Sequence, residues 1–113
     1  MMYEIVIYQT KSGALPFNEW LEDLADILAR QKIRIRLQRL SLGNFGNCKT
    51  LKNGMGELKL DYGPGYRIYY ALLTKNNVLV LYAGTKRTQK KDIEKAQMYL
   101  ADFKARGKTH GKK

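Results

Sequence analysis

The alternation of hydrophobic and polar residues predicts strands at the start and in the second half of the chain. Residues 3–8, YEIVIY, are rich in β-branched and aromatic residues and form the first predicted strand. Three further runs, residues 56–62, 65–74 and 77–84, show strand-like patterns. The turn segments GPG at 63–65 and KNN at 75–77 separate these runs, so we expect two consecutive hairpins.

Between the first and second predicted strands, hydrophobic residues recur at steps of three and four, which is the spacing of a helix. Pro16 suits the first turn of one helix. A second helix follows almost directly, with Ile33 on its apolar line and with Arg36 and Arg39 on the opposite line. A last helix is predicted from about Thr88 to Arg106.

The resulting order, β-α-α-β-β-β-α, predicts a small α+β domain in which an antiparallel sheet packs against helices that lie largely on one side. We assign residues 1–106 to this single domain and residues 107–113, GKTHGKK, to a flexible basic tail. His110 is the only histidine of the chain. Its place in the tail favours chance composition over a role as general acid.

The charge of the chain is strongly positive, with 21 basic and 10 acidic residues and a formal net charge of +11. Such a balance in a small protein favours a polyanionic partner, and nucleic acid is the first candidate. The single cysteine, Cys48, excludes an intrachain disulfide and makes no zinc site by itself, so we expect a protein of the reducing cytoplasm. No metal or other cofactor is expected. No apolar run approaches the roughly 20 residues of a membrane span, so no membrane partner is expected.

The charged hairpin ELKLDYGPGYRIYY, residues 57–70, is the main candidate for a functional surface. Alternation directs Glu57, Lys59 and Asp61 to one face of the sheet, and Arg67 and Tyr69 follow in the partner strand. We expect the helices to cover the aliphatic face and to leave this charged face open to solvent. The simpler interpretation is that these charges only form cross-strand ion pairs on a wet surface.

The stretch GTKRTQKKDIEK, which follows the last predicted strand, makes a binding surface more plausible than isolated ion pairs. It gathers bases and an amide at the end of the sheet: Lys86, Arg87, Gln89, Lys90 and Lys91. A sheet face with bases at its rim and tyrosines within it offers phosphate contacts and stacking surfaces together.

In combination, these segments resemble the RelE/ParE superfamily of toxins from bacterial toxin-antitoxin modules, and especially its HigB-like addiction module killer proteins. The resemblance covers residues 3–103 and rests on PFNEWLEDL, the basic second helix with GNFG, the charged hairpin, and AGTKRTQKKDIEKA. It implies a toxin that cleaves messenger RNA on the ribosome and is held inactive by a cognate antitoxin, expected to be a helix-turn-helix protein.

The resemblance also implies roles for individual residues in a metal-independent attack of the ribose 2′-OH on the adjacent phosphate. Arg67 matches the arginine that stabilises the phosphate, and Lys59 would stabilise it too or act as the base. Lys86 would supply the second cation, or Arg87 if the alignment shifts by one residue. Glu57 and Asp61 are the acidic candidates for the general base. The residues expected to contact RNA are Tyr69, Arg87, Gln89, Lys90, Lys91, Arg36 and Arg39.

Two other functions are compatible with the same pattern. One is poisoning of DNA gyrase, as in ParE-like proteins, and the other is a non-catalytic module that binds nucleic acid or a protein partner. The basic second helix also has two interpretations, because it can lie along ribosomal RNA or receive an acidic segment of the antitoxin.

Overall fold

A five-stranded sheet is the centre of this computed structural model, which describes residues 2–110, with side chains described up to residue 107. The strands are β1 (Glu4–Ile7), β2 (Cys48–Thr50), β3 (Met55–Leu60), β4 (Tyr66–Leu72) and β5 (Asn77–Thr85). The helices are α1 (Pro16–Glu22), α2 (Ile27–Ser41) and α3 (Gln89–His110), with 3-10 turns at Lys52–Gly54 and Lys86–Thr88. The α+β class predicted from the sequence is confirmed.

The strands lie in the order β1-β5-β4-β3-β2, and the sheet is mixed instead of wholly antiparallel. The β3-β4 and β4-β5 pairs are antiparallel because tight turns connect them, whereas β1 lies parallel to β5. No hairpin joins β1 to its neighbour, so the chain is free to enter the sheet in either direction. The three-residue strand β2, which the sequence pattern did not predict, pairs with β3 at the opposite edge.

Helices cover both faces of the sheet, which corrects the expectation that they lie largely on one side. On one face, α1 and α2 pack against alternate strand residues such as Leu58 and Ile68. On the other face, α3 packs against Tyr69 and Leu81. The sheet is therefore the middle of three layers, and the face that carries Arg67 lies beneath α3.

Two of the helix starts are fixed by side chains of the preceding residues. Asp26 caps α2 by accepting a hydrogen bond from the Ala29 amide (3.1 Å), and its other carboxylate oxygen accepts one from the Tyr62 hydroxyl (3.0 Å). Thr85 and Thr88 form a reciprocal capping box around the 3-10 turn that leads into α3. These caps tie the helices to the ends of β3 and β5.

The last helix is longer than the sequence pattern predicted. It continues to His110, four residues beyond the expected end at Arg106, so the first part of the predicted flexible tail is helical. The rest of that predicted tail, residues 111–113, lies outside the described residues, as does the side chain of His110. None of the described helices is long and apolar enough to cross a membrane.

Candidate functional site

The β3-β4 hairpin brings Lys59 and Arg67 side by side, because they are direct partners in the antiparallel register. Glu57 and Tyr69 form the pair two positions further along the same strands. Since side chains alternate along a strand, these four residues share the face of the sheet that α3 covers. The alternation in the sequence therefore predicted the neighbourhood of the two cations correctly.

Most of this face is buried, which corrects the expectation of an open, solvated surface. Glu57 and Arg67 are only 3% and 5% exposed, while Lys59 is half-buried. Tyr69 is completely buried and packs with Met55 and with residues of α3. The expectation that Tyr69 stacks on RNA bases from an exposed position is therefore wrong.

Glu57 joins Arg67 to the first residue of α3. Its Oε2 atom lies 3.5 Å from Arg67 Nε, and its Oε1 atom accepts a hydrogen bond from Gln89 Nε2 (2.9 Å). A guanidinium with so little exposure is costly to bury alone, and the neighbouring carboxylate offsets part of that cost. Glu57 thus links the hairpin to the start of α3, with both carboxylate oxygens engaged.

Gly65 connects Arg67 to the stretch that carries Lys86. Its carbonyl oxygen accepts a hydrogen bond from Arg67 Nη1 (3.1 Å) and another from the Lys86 amide (2.8 Å). The φ angle of Gly65 is +82°, and a Cβ here would lie 3.2 Å from Arg67 Nη1 and 3.6 Å from Lys86 Cβ. A glycine at this turn therefore lets the Arg67 guanidinium and the main chain of Lys86 approach the same carbonyl at one end of the sheet.

The hydroxyl group of Tyr69 lies in the same buried region and has no hydrogen-bond partner among the described residues. Burial raises the pKa of the Tyr69 phenol, and the negative charges of Glu57 and Asp92 raise it further, while Arg67 acts in the opposite direction. The phenol therefore stays protonated at neutral pH. The Tyr69 hydroxyl is thus a buried polar group close to the charges of Glu57, Asp92 and Arg67, and solvent does not reach it.

Asp92 and Gly84 complete the region, and the sequence pattern predicted neither of them. Asp92 is 7% exposed and accepts a hydrogen bond from the Thr88 hydroxyl, and burial raises the pKa of its carboxyl group. Gly84, the partner of Arg67 in β5, has no room for a Cβ because the Asp92 carboxylate occupies that space. The four-residue spacing of Thr88 and Asp92 at a helix start was the sequence feature from which their contact could have been predicted.

The other candidate residues differ in how far solvent reaches them. Exposed side chains belong to Asp61, Lys86, Arg87, Lys90, Lys91 and Arg39, whereas Gln89 and Arg36 are half-buried. The exposed cations thus flank Gln89 in the chain, and Gln89 itself contacts Glu57 of the buried Glu57–Arg67 pair. Asp61 lies beyond the end of β3, so it remains accessible from solvent.

Arg36 holds the loop after α2 instead of extending into solvent with its neighbours on that helix. Its guanidinium donates hydrogen bonds to the carbonyl oxygens of Lys59 (2.7 Å), Phe45 (2.9 Å) and Asn47 (2.7 Å). Burial lowers the pKa of Arg36, which nevertheless remains charged. These contacts are structural, and they explain why the loop ends beside β3.

A groove of about 410 Å³ lies between α2 and the end of β3. Its lining residues are Lys32, Ile35, Arg36, Arg39, Asn47, Lys59, Leu60, Asp61 and Tyr62. The groove joins the basic side of α2 to the strand end that carries Lys59. Among the described side chains, no group of three or more His, Cys, Asp or Glu is arranged to hold a metal ion.

Comparison with known proteins matches residues 19–104 to the family described as "Phage derived protein Gp49-like (DUF891)". An uncharacterized protein of Haemophilus influenzae is similar to this chain, with 45% identity over 91 residues. The alignment covers 79% of this chain and 90% of the relative. The family match includes every residue of the region formed by Glu57, Lys59, Arg67, Lys86 and Gln89.

Proposed function

This chain belongs to the Gp49-like family of phage-derived proteins, and from that premise we propose that it is the toxin of a type II toxin-antitoxin module, a ribosome-dependent endoribonuclease. The observation that carries the proposal is that Lys59 pairs with Arg67 across the hairpin, while the Arg67 guanidinium and the backbone amide of Lys86 both donate to the Gly65 carbonyl at the same end of the sheet. Cations at one end of the sheet suit a phosphate whose negative charge increases during attack by the 2′-OH. The resemblance of the hairpin and of the start of α3 to RelE/ParE toxins supports the same reaction.

We assign the first contacts with the scissile phosphate to Lys59 and Lys86, which solvent reaches more easily than Arg67. Arg67, from beneath, adds positive potential at the same place, although its ion pair with Glu57 offsets part of this potential. Because a fixed charge in a poorly solvated site acts over a short distance with little screening, this support does not need full exposure of the guanidinium.

The two acidic candidates receive different roles in this proposal. Both carboxylate oxygens of Glu57 are engaged, one by Gln89 and one by the ion pair with Arg67, so Glu57 fits a positioning role. Asp61 is exposed and lines the groove with Lys59, so it is the better candidate for the general base.

The proposed partners are messenger RNA, the ribosome and a cognate antitoxin, in the cytoplasm. The net charge of +11 supports messenger RNA and the ribosome as partners, because the negative phosphates of nucleic acid attract a basic protein. It also supports an antitoxin with acidic segments, since such a segment would neutralise the surface that faces RNA.

The test is controlled expression of the protein in growing bacteria, with the 5′ ends of transcripts mapped before and after induction. We expect new ends inside translated regions together with growth arrest. Lys59→Ala and Lys86→Ala should each lower cleavage by about 100-fold, as expected for the loss of one group that stabilises developing charge. Lys75→Ala is the matched control, because Lys75 is exposed beyond the opposite end of β4.

An induced culture that keeps growing and shows no new transcript ends would contradict the proposal. Growth arrest with a DNA-damage response and intact transcripts would point to gyrase instead. Equal cleavage by the wild type and by both lysine variants would show that these cations do not act on the phosphate.

A non-catalytic function on the same fold is the second candidate, and one observation favours it. Glu57, Arg67 and Tyr69 are all less than a tenth exposed, which is the environment of structural residues. A binding module of this kind would associate with ribosomes or RNA and leave transcripts intact. Sedimentation with ribosomes, combined with the same transcript mapping, distinguishes it from the ribonuclease.

A further inference from the structure

We propose that the outward face of α2 binds an acidic amphipathic helix of a partner protein. The face is defined by the exposed residues Leu28, Gln31, Lys32, Ile35, Gln38 and Arg39, together with Leu42 directly after the last residue of the helix. The opposite side of the helix, with Ala29, Ile33 and Leu40, is buried against the sheet. This inference does not rest on ribonuclease activity.

An aliphatic stripe runs along the outward face. Leu28, Ile35 and Leu42 are 51%, 48% and 58% exposed, although each is large and apolar. They are spaced by seven residues, so each lies within about 20° of the previous one around the helix axis. At 1.5 Å per residue the stripe is about 21 Å long, which matches a partner helix of about four turns.

Bases lie beside the stripe, and acids are absent from it. Lys32 and Arg39 each follow a stripe residue by four positions, so they project next to Leu28 and Ile35. Residues 27–56 contain no aspartate or glutamate. Neither ion pair found among the described side chains includes a base of α2, so its positive charge is not neutralised by a carboxylate within 4.0 Å.

The groove beside the stripe provides a second apolar element. Ile35 and Leu60 line it, together with the ring of Tyr62, while Lys32 and Arg39 line its helix side. Lys32 Nζ lies 5.0 Å from the centre of the Tyr62 ring. A helix seated on the stripe can therefore place one row of apolar side chains against Ile35 and direct carboxylates toward the bases.

The aliphatic residues decide between the candidate occupants. RNA binds through phosphates and stacked bases, for which Leu28, Ile35 and Leu42 offer neither charge nor a ring. A second copy of this chain would bring one basic face against another. An acidic helix with an apolar row satisfies both the stripe and its flanking charges, as in helices held in a groove.

The test uses a synthetic peptide of about 18 residues, with leucine at positions of one helical face and glutamate on both flanks, added to the full-length protein. Amide chemical shifts in an NMR titration should change along α2 and around the groove. Ile35→Ser should weaken binding at least about 10-fold, by loss of a central apolar contact. Met98→Ser is the matched control, because Met98 is 67% exposed but lies on α3.

Two results would overturn this inference. One is the absence of peptide binding, and the other is binding that Ile35→Ser leaves unchanged. If a single-stranded oligouridine shifts the same α2 amides and Ile35→Ser has no effect on it, the face is an RNA surface. Lys86→Ala separates the two proposals, because it should reduce transcript cleavage and leave peptide binding intact, whereas Ile35→Ser should do the reverse.

Discussion

Glu57 and Arg67 form an ion pair inside the protein, with 3.5 Å between Oε2 and Nε and with side chains that are 3% and 6% exposed. The pair lies between the hairpin and α3, where Gln89 also contacts the carboxylate. Removing one member leaves the other charged, buried and without its counterion. The pair therefore contributes to folding whether or not the protein cleaves RNA.

We expect Glu57→Leu to lower the free energy of unfolding by about 3–5 kcal/mol, because Arg67 then remains as an uncompensated buried charge. Urea unfolding monitored by circular dichroism measures the change. The control is Glu94→Gln, since Glu94 is exposed on α3 and its replacement should change stability by no more than about 0.5 kcal/mol.

The double variant Glu57→Leu/Arg67→Met tests the cause of that loss. Apolar residues in place of both charges remove the need for compensation, so the double variant should be more stable than Glu57→Leu alone. If the losses of the two single variants simply add, the side chains are not energetically coupled.

A second prediction concerns the space between β5 and the start of α3. Because the Asp92 carboxylate occupies the place of a Cβ at residue 84, Gly84→Ala should destabilise the protein by about 1–3 kcal/mol through overpacking. Thermal and urea unfolding measure this loss. Gly107→Ala is the control: outside its chain neighbours and its own helix backbone, no described atom lies within 4 Å of its Cβ position, so this change within α3 should stabilise by about 0.5–1 kcal/mol. Equal effects of the two substitutions would show that crowding at Gly84 is absent.

The pairing of Lys59 with Arg67 was accessible from the sequence, because a tight turn and the two-residue period of strands fix which residues meet. The burial of the sheet face that carries Lys59 and Arg67 could not be predicted from the sequence. The helix that buries this face is α3, which begins more than 20 residues after Arg67. The sequence of the hairpin alone does not indicate where that helix packs. One signal was present in β5, where residues 78–83, VLVLYA, are apolar at successive positions, as in strands covered on both faces.

The role of Arg36 shows a second limit of spacing arguments. On the helix it occupies the same line as Arg39, and both were expected to face away from the core. Its acceptors are main-chain carbonyls, which have no signature in the residue types of the loop. Only the folded path of residues 45–47 reveals that this arginine binds the chain itself.

Arg36→Ala should therefore destabilise the protein by about 2 kcal/mol or more, because three carbonyl oxygens lose a charged hydrogen-bond donor. Arg36→Lys should recover only part of the loss, since an ammonium group cannot span the same acceptors as a planar guanidinium. Urea unfolding gives the comparison. Arg34→Ala, an exposed change on the same helix, should have almost no effect. Similar losses for Arg34→Ala and Arg36→Ala would contradict the structural role.

The dependence of stability on pH provides a prediction at Asp102. This carboxylate accepts hydrogen bonds from Arg106 Nη2 (2.7 Å) and from the Tyr8 hydroxyl (2.6 Å). These bonds, that of Arg106 first, hold the pKa of Asp102 below its ordinary value of 3.8. An acid with a lowered pKa in the folded state stabilises the fold above the pKa of the unfolded chain, and this stabilisation is lost as the pH falls through the folded value.

Asp102→Asn should accordingly unfold at lower urea concentration than the wild type at neutral pH, and the gap should close as the pH falls below 3.8. Urea unfolding of both proteins from pH 7 to about pH 2 measures it. Tyr8→Phe removes one of the two donors, so the pH-dependent part of its effect should have the same sign and a smaller size. A gap that stays constant over this range would mean that the substitution acts through packing, because only ionisation of the carboxyl group makes the difference depend on pH.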